Sequence, residues 1–475
     1  MKLNASTKIF AITLLFILLL EANSYLAINI LILKYLVFFT LLAIAFGLTL
    51  IKNEYGLYFV MAELAIGGKG YLFDFNGISL RMGLFTLVLL GGLINQIKIN
   101  YLANKSFKTF FDISKLEFNP IFLLLFIVIG FGIINGLLQN QFINVYRDAN
   151  AWLFFLLAPT FWLIRNNQIA LKNIQTVLLA AAAWLGAKTV FFLFLFSHHY
   201  ISIGETAYKW LRNTGVGEIT HISSNNFRVF FYSQIYCLFA GLMLLSLLLS
   251  NKIKNKNYRH LSYGAIYFFS LTILISQSRS FWLGALAGTV ALLFLSWLKL
   301  KISLKKLTAI AIILIAMTIS QIFLIQIITG SLLNNRLNNL QTEPAGASRL
   351  NQLMPLSNAI TLNPIFGYGY GKTLTYTSQD PRILSQSPNG NYTTFAFEWG
   401  YLDILLKLGL IGFVIYFYFF LTLFYNGILK LELGFLAGLF ALGVVNIFTP
   451  YLNHPLGIGY ILLCSSAILW RQEKI

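Results

Sequence analysis

The chain has 475 residues, of which 58% are hydrophobic and only 10% charged, and its mean hydropathy is +0.75. Runs of about 18 or more apolar residues recur along its whole length, which excludes a water-soluble protein and fits a polytopic α-helical membrane protein. The formal net charge is +19, but Lys and Arg fall mostly in short connections between apolar runs, the pattern of a cytoplasmic membrane face and not of a nucleic-acid surface.

In chain order, apolar spans are expected at 9–28, 30–51, 55–67, 79–97, 119–138, 151–165, 175–197, 228–250, 261–276, 281–298, 307–329, 404–425, 432–449 and 457–470. The third is short and the first two are closely joined, so the expectation is 12–14 helices. The first run, IFAITLLFILLL, lacks a small-residue cleavage site and reads as a retained span. Cys237 and Cys464 both lie inside apolar runs, which excludes a disulfide framework. The organisation expected is a membrane bundle over 1–330 with about 11 spans, one large hydrophilic loop over 331–403, and C-terminal membrane helices over 404–475.

Charge orients the spans. With the N-terminus inside, the inner connections include KSFKTFFDISK, NKIKNKNYRH, KLKISLKK and the tail RQEKI. The inner segments then hold roughly 20 Lys and Arg, and the short outer ones about four. Both termini are expected on the cytoplasmic side. The large loop, and the second-longest polar segment, 198–227, are expected on the outer face. Any chemistry would happen there.

Four arginines fall on that outer side: Arg228 in SSNNFRVFF, Arg279 in SQSRS, Arg81 in NGISLRMGLF and Arg349 in GASRLNQL. Arginine is the residue suited to bidentate recognition of phosphate or carboxylate. No matching acid is evident for the group, and none stands near Arg279 in sequence, so it reads as a cationic cluster whose counter-ion is a ligand. No acidic pair at metal-ligand spacing accompanies them, and no metal or cofactor is expected.

The large loop opens with a helical pattern, Leu350, Leu353, Met354, Leu356 and Ile360. NPIFGYGYGK follows, with alternate glycines. No strand–helix frame surrounds it, so it reads as a close backbone approach with exposed tyrosines and not as a phosphate loop. Glu398 and Asp403 then stand at the entry to the next span. Glu398 reads as a general base or as an interfacial carboxylate paired with Lys407, and Asp403 as interfacial. Lys372 and Lys407 either add charge to an anion pocket or snorkel. The loop's aromatics, Tyr401 among them, form a membrane-interface belt or a platform for sugars. Lys34 and Lys188 fall within spans, with no partner evident from sequence.

SRL…NPIFGYGYG followed by EWGYLDILLKLGLIG, with the upstream SQSRS hairpin and AIGGKGYLFDFNGISLRMGLF, resembles the O-antigen ligase/polymerase superfamily of bacterial surface-glycan glycosyltransferases, over about residues 60 to 425. The resemblance implies a metal-independent, GT-C-like glycosyl transfer from undecaprenyl-pyrophosphate-linked glycans. It implies that Arg228 and Arg279 hold the pyrophosphate, with Arg349, Arg81, Lys372 and Tyr401 as further substrate-binding candidates. Where family members usually carry a histidine base, this sequence has Glu398. That difference and the SLRM segment favour a repeat-unit polymerase over a ligase that passes the glycan to a lipid or protein. A lipid-linked-glycan flippase is the alternative from another class, although no internal repeat is evident. Membrane lipids and a chain-length regulator protein are the other partners implied; nucleic acid is not.

Overall fold

The structure is a computed structural model that describes residues 5–104, 120–223, 225–330 and 344–469. It is an all-α polytopic membrane protein. The basic segments 105–115 and 471–475, and the first part of the large loop, 331–343, lie outside the described residues.

Helices α1 (Ala5–Leu26), α2 (Leu31–Ile51) and α3 (Asn53–Ile66) lead to a short hairpin, β1 (Asp74–Phe75) and β2 (Ile78–Ser79), and then to α4 (Leu80–Asn104). Next come α5 (Pro120–Gln139), α6 (Phe142–Trp152), a 3-10 turn over Leu153–Leu157, α7 (Ala158–Leu163) and α8 (Gln168–Ser197). The span expected at 151–165 therefore begins nine residues earlier. The polar run FINVYRDANAW is helical because its Val145, Ala149 and Trp152 face is buried in the bundle.

The segment 198–227 is described except at residue 224. It forms α9 (Ile201–Thr214) and an antiparallel hairpin, β3 (Gly217–Ser223) and β4 (Asn226–Phe231). Arg228 thus lies on a strand and does not open a span. The helix that follows, α10 (Ile235–Leu249), starts only after a 3-10 turn at Tyr232–Gln234. Helices α11 (Lys256–Ile275), α12 (Arg279–Leu300) and α13 (Leu304–Thr329) complete the first bundle. The large loop holds α14 (Pro344–Leu362), β5 (Leu374–Thr377), α15 (Pro381–Leu384) and β6 (Asn391–Thr394), with β5 and β6 paired. The chain ends with α16 (Gly400–Leu429), α17 (Leu433–Phe448) and α18 (Pro455–Ile468).

Among the described residues, nine helices are long and apolar enough to cross a membrane, and α17 and α18 are shorter apolar helices. Lipid offers no hydrophobic drive between helices, so close backbone approach matters. GALAG on α12 supplies it. A Cβ added at Gly284 would lie 3.1 Å from the Ala441 carbonyl oxygen, and one at Gly288 would lie 3.0 Å from that of Ala437. Small residues four apart on both helices thereby seat α12 against α17.

Helix α16 is broken within its first turns. Gly409 has φ +64°, which frees backbone groups that the NPIFGYG turn takes up. The Tyr368 amide donates to the Leu406 carbonyl at 2.9 Å and that of Gly369 to Lys407 at 2.9 Å, while Leu410 donates to Pro364 at 2.8 Å. Irregular backbone packed among spans needs this internal satisfaction. Gly369, at φ +72°, is also pressed against α5: a Cβ there would lie 2.1 Å from the Gly136 nitrogen. The close approach expected of GYGYG is present, but its tyrosines are not exposed. Tyr370 is fully buried against Trp152, and Tyr368 is half-buried.

Candidate functional site

The β3–β4 hairpin docks on the connection between α11 and α12. Arg228 donates from Nε to the Ser276 carbonyl oxygen at 3.1 Å, and Gln277 donates to Asn226 Oδ1 at 2.9 Å. Strand alternation puts Arg228 and Phe230 on one face, and the guanidinium carbon lies 4.6 Å from the Phe230 ring centre. Arg279 is the first residue of α12. Its guanidinium therefore starts beside the positive end of the helix dipole. Phe230 packs on Phe281, and Phe281 on Tyr451, whose hydroxyl donates to the Tyr232 carbonyl. Two arginines distant in sequence are thus carried by elements that hold each other.

Glu398 is fixed from α14. Its side chain is ion-paired with Arg349, its amide donates to Gln352 Oε1 at 3.0 Å, and Trp399 Nε1 donates to the Arg349 carbonyl at 2.9 Å. The buried face of α14 is Gln352, Leu356 and Ala359, while Leu350 and Met354 are exposed. The expected hydrophobic stripe is therefore rotated: the helix turns its polar Arg349 and Gln352 toward Glu398. Arg349 has a matching acid after all, and Glu398 is not the partner of Lys407.

The end of α17 joins these two parts. Ser280 and Thr449 share a hydroxyl hydrogen bond of 3.0 Å, and Phe448 packs on Trp399. The Arg279 turn and the Glu398 entry flank the same short stretch of chain.

Beneath them lies a charge cluster the sequence did not reveal. Lys407 Nζ is 2.7 Å from Asp148 Oδ1 and 2.6 Å from Asp403 Oδ1, and the Lys407 and Asp403 side chains are almost fully buried. The other Asp148 oxygen accepts from the Gly371 amide at 2.8 Å, and Asn453 donates to Asp403 Oδ2. Lys407 does not snorkel and Asp403 is not an interfacial carboxylate. The cluster ties α6, the GYGYG turn, α16 and the α17–α18 connection together. Lys407, inside the expected span 404–425, was the available signal, since an intramembrane charge needs a partner.

Two further candidate residues have partners inside the bundle. Arg81 is 5% exposed and makes a two-pronged ion pair with Glu63, Nε–Oε2 2.8 Å and Nη2–Oε1 3.0 Å, while its Nη1 donates to the Gly68 carbonyl. Glu63, on α3, is too far away in sequence to have been read as its counter-ion. Tyr401 turns its hydroxyl to the Gly443 carbonyl at 2.8 Å and so joins α16 to α17. Both serve packing. The intramembrane cations gain partners too: Lys188 pairs with Glu21 at 2.5 Å and Lys34 with Asp74 at 2.6 Å. Lys372 stands over the Tyr368 ring at 4.2 Å.

No curated protein and no solved structure matches the chain. A family model described as O-antigen ligase matches residues 264–417. From α11 through the SQSRS and GYGYG turns and Glu398 into α16, that match supports the O-antigen ligase/polymerase superfamily.

Proposed function

We propose that the protein is an oligosaccharide repeat-unit polymerase that joins undecaprenyl-pyrophosphate-linked glycans at the outer face of a bacterial inner membrane. The observation that carries this reading is the docking of the Arg228 strand on the turn that opens α12 with Arg279. The two guanidiniums and the helix N-terminus form a positive site for the donor's pyrophosphate.

In the transfer, the acceptor hydroxyl oxygen bonds to the donor's anomeric carbon as the bond from that carbon to pyrophosphate breaks. The leaving pyrophosphate takes the electron pair, and fixed guanidiniums stabilise the developing charge. The hydroxyl proton passes to Glu398, which bonds Arg349 through Oε2 and keeps Oε1 for it. Arg349 acts by holding that carboxylate in place. The positive charge needed comes from arginine, so chelator treatment with EDTA is expected to leave the rate unchanged.

Orientation is supported by the opposite end of the bundle. A 22-residue helix α12 rises about 33 Å from Arg279 to the end where Lys299, Lys301, Lys305 and Lys306 flank the α12–α13 connection. Arg165, Lys172, Lys252, Lys254 and Lys430 line a common cavity away from the loop. Cations so placed favour that end, and with it both termini, on the cytoplasmic side.

The matched model's own description favours a second reading, a ligase that passes the glycan to a different acceptor. Incubating the protein with lipid-linked repeat units alone separates the two. A polymerase yields a ladder of longer lipid-linked products, whereas a ligase leaves the units unjoined until another acceptor is added. Unjoined units would overturn the polymerase reading.

A further inference from the structure

A cavity of about 550 Å³ lies between the α5–α6 connection, the GYGYGK turn and β6. Its size is that of a small-molecule site. Its chemistry is not that of a lipid cleft. Gln141 and Asn144 contribute amides with no side-chain partner among the described residues, and Tyr392 and Phe395 contribute rings. Tyr392 is held edge-on by Tyr376 at 5.8 Å. Amides that both donate and accept suit vicinal hydroxyls, and flat rings with apolar faces suit the C–H face of a pyranose.

One charged residue lines this cavity, Lys372. Its ammonium lies over Tyr368 and pairs with no carboxylate among the described residues. Asp148, whose carboxylate accepts from the neighbouring Gly371 amide, is already held by Lys407. A compact ammonium with no carboxylate partner among the described residues calls for one negative charge. A carboxylate balances it, whereas a dianionic phosphate leaves a charge over. The wall of the cavity also runs toward the reaction site. Glu398 follows Phe395 by three residues, at most about 10 Å of extended chain.

We infer that this cavity binds a carboxylate-bearing sugar of the acceptor glycan, held by Lys372 with Asn144, Gln141 and the Tyr392 ring. The inference rests on the polymerase reading for the word acceptor, but the binding it states is measurable without turnover.

The test uses the full chain in lipid nanodiscs and two probes, an oligogalacturonate and a neutral malto-oligosaccharide of equal length, with binding read by saturation-transfer NMR and titration. The acidic probe is expected to bind at least about tenfold more tightly, a gap of about 1.4 kcal/mol. Lys372→Met is expected to erase that preference, and Asn144→Ala to weaken both probes. Arg228→Ala is expected to lose polymer formation while keeping the binding, so loss of the enzymatic reading leaves this result standing. Equal binding of both probes, an acidic preference that survives Lys372→Met, or displacement by inorganic phosphate more readily than by galacturonate would each overturn the inference. A retained elution profile and unfolding temperature for Lys372→Met separates lost binding from lost fold.

Discussion

Arg228 donates from Nε to the carbonyl oxygen of Ser276 at 3.1 Å, three residues before Arg279. That bond fixes the strand on the turn. Replacing either arginine with alanine is expected to cost about 10²–10³ in transfer rate, the usual loss for one preorganised charge-stabilising donor. Polymer ladders on gels check this, with protein abundance measured in parallel. Normal ladders would remove the residue concerned from the pyrophosphate site.

Glu398 is expected to be needed for its charge and not its shape. Glu398→Gln keeps a side chain of the same size but cannot take the hydroxyl proton, so the rate is expected to fall by about 10²–10⁴. Arg349→Ala frees the carboxylate without removing it, and a smaller loss is expected. Single-turnover assays rank the two. An Arg349→Ala variant slower than Glu398→Gln would point to a direct role for the arginine.

Lys407 holds two buried carboxylates. Lys407→Met leaves Asp148 and Asp403 facing one another with no cation, and breaking a buried pair of this kind costs about 3–5 kcal/mol. A clear drop in unfolding temperature in detergent is expected, followed by intrinsic fluorescence. The double variant Lys407→Met with Asp403→Asn removes part of the repulsion and is expected to recover some of the loss. An unchanged unfolding temperature for Lys407→Met would mean the cluster contributes little.

His454, in the connection before α18, uses Nδ1 to accept from the Leu456 amide. Burial, and then the nearby Arg81 and Lys69 cations, push its imidazole down to about 3. The unfolded chain binds that proton near 6.5. Its contribution to stability is therefore complete above about pH 6.5 and is lost as pH falls from there toward 3. Unfolding temperatures measured between pH 7.5 and 4.5 are expected to fall, and His454→Asn, which retains a capping oxygen, is expected to flatten the slope. Parallel slopes in both proteins would clear His454 of the effect.

Membrane class and most helices were legible because lipid imposes one rule, a long apolar run for each span, and the runs can be read directly. The order of SQSRS, NPIFGYGYG and Glu398 was legible for a different reason: these are local strings. Pairing was not local. Glu63 lies 18 residues from Arg81, and Asp148 lies 259 from Lys407. Arginines read as lacking acids included two that have them, Arg81 and Arg349. The β3–β4 hairpin was missed because NFRVFF adjoins an apolar run and merged with it.

The sequence by itself determined that this chain lives in a membrane, where its cations concentrate, and which family its motifs resemble, since hydropathy, charge and short motifs are properties of neighbouring residues. Only the tertiary structure decided which cations are spent on internal acids and which are carried to a shared turn. It alone broke α16 at Gly409 to admit the GYGYG turn. Partnership between charges and between free backbone groups depends on distance in space, which the packing of helices creates and the order of residues does not record.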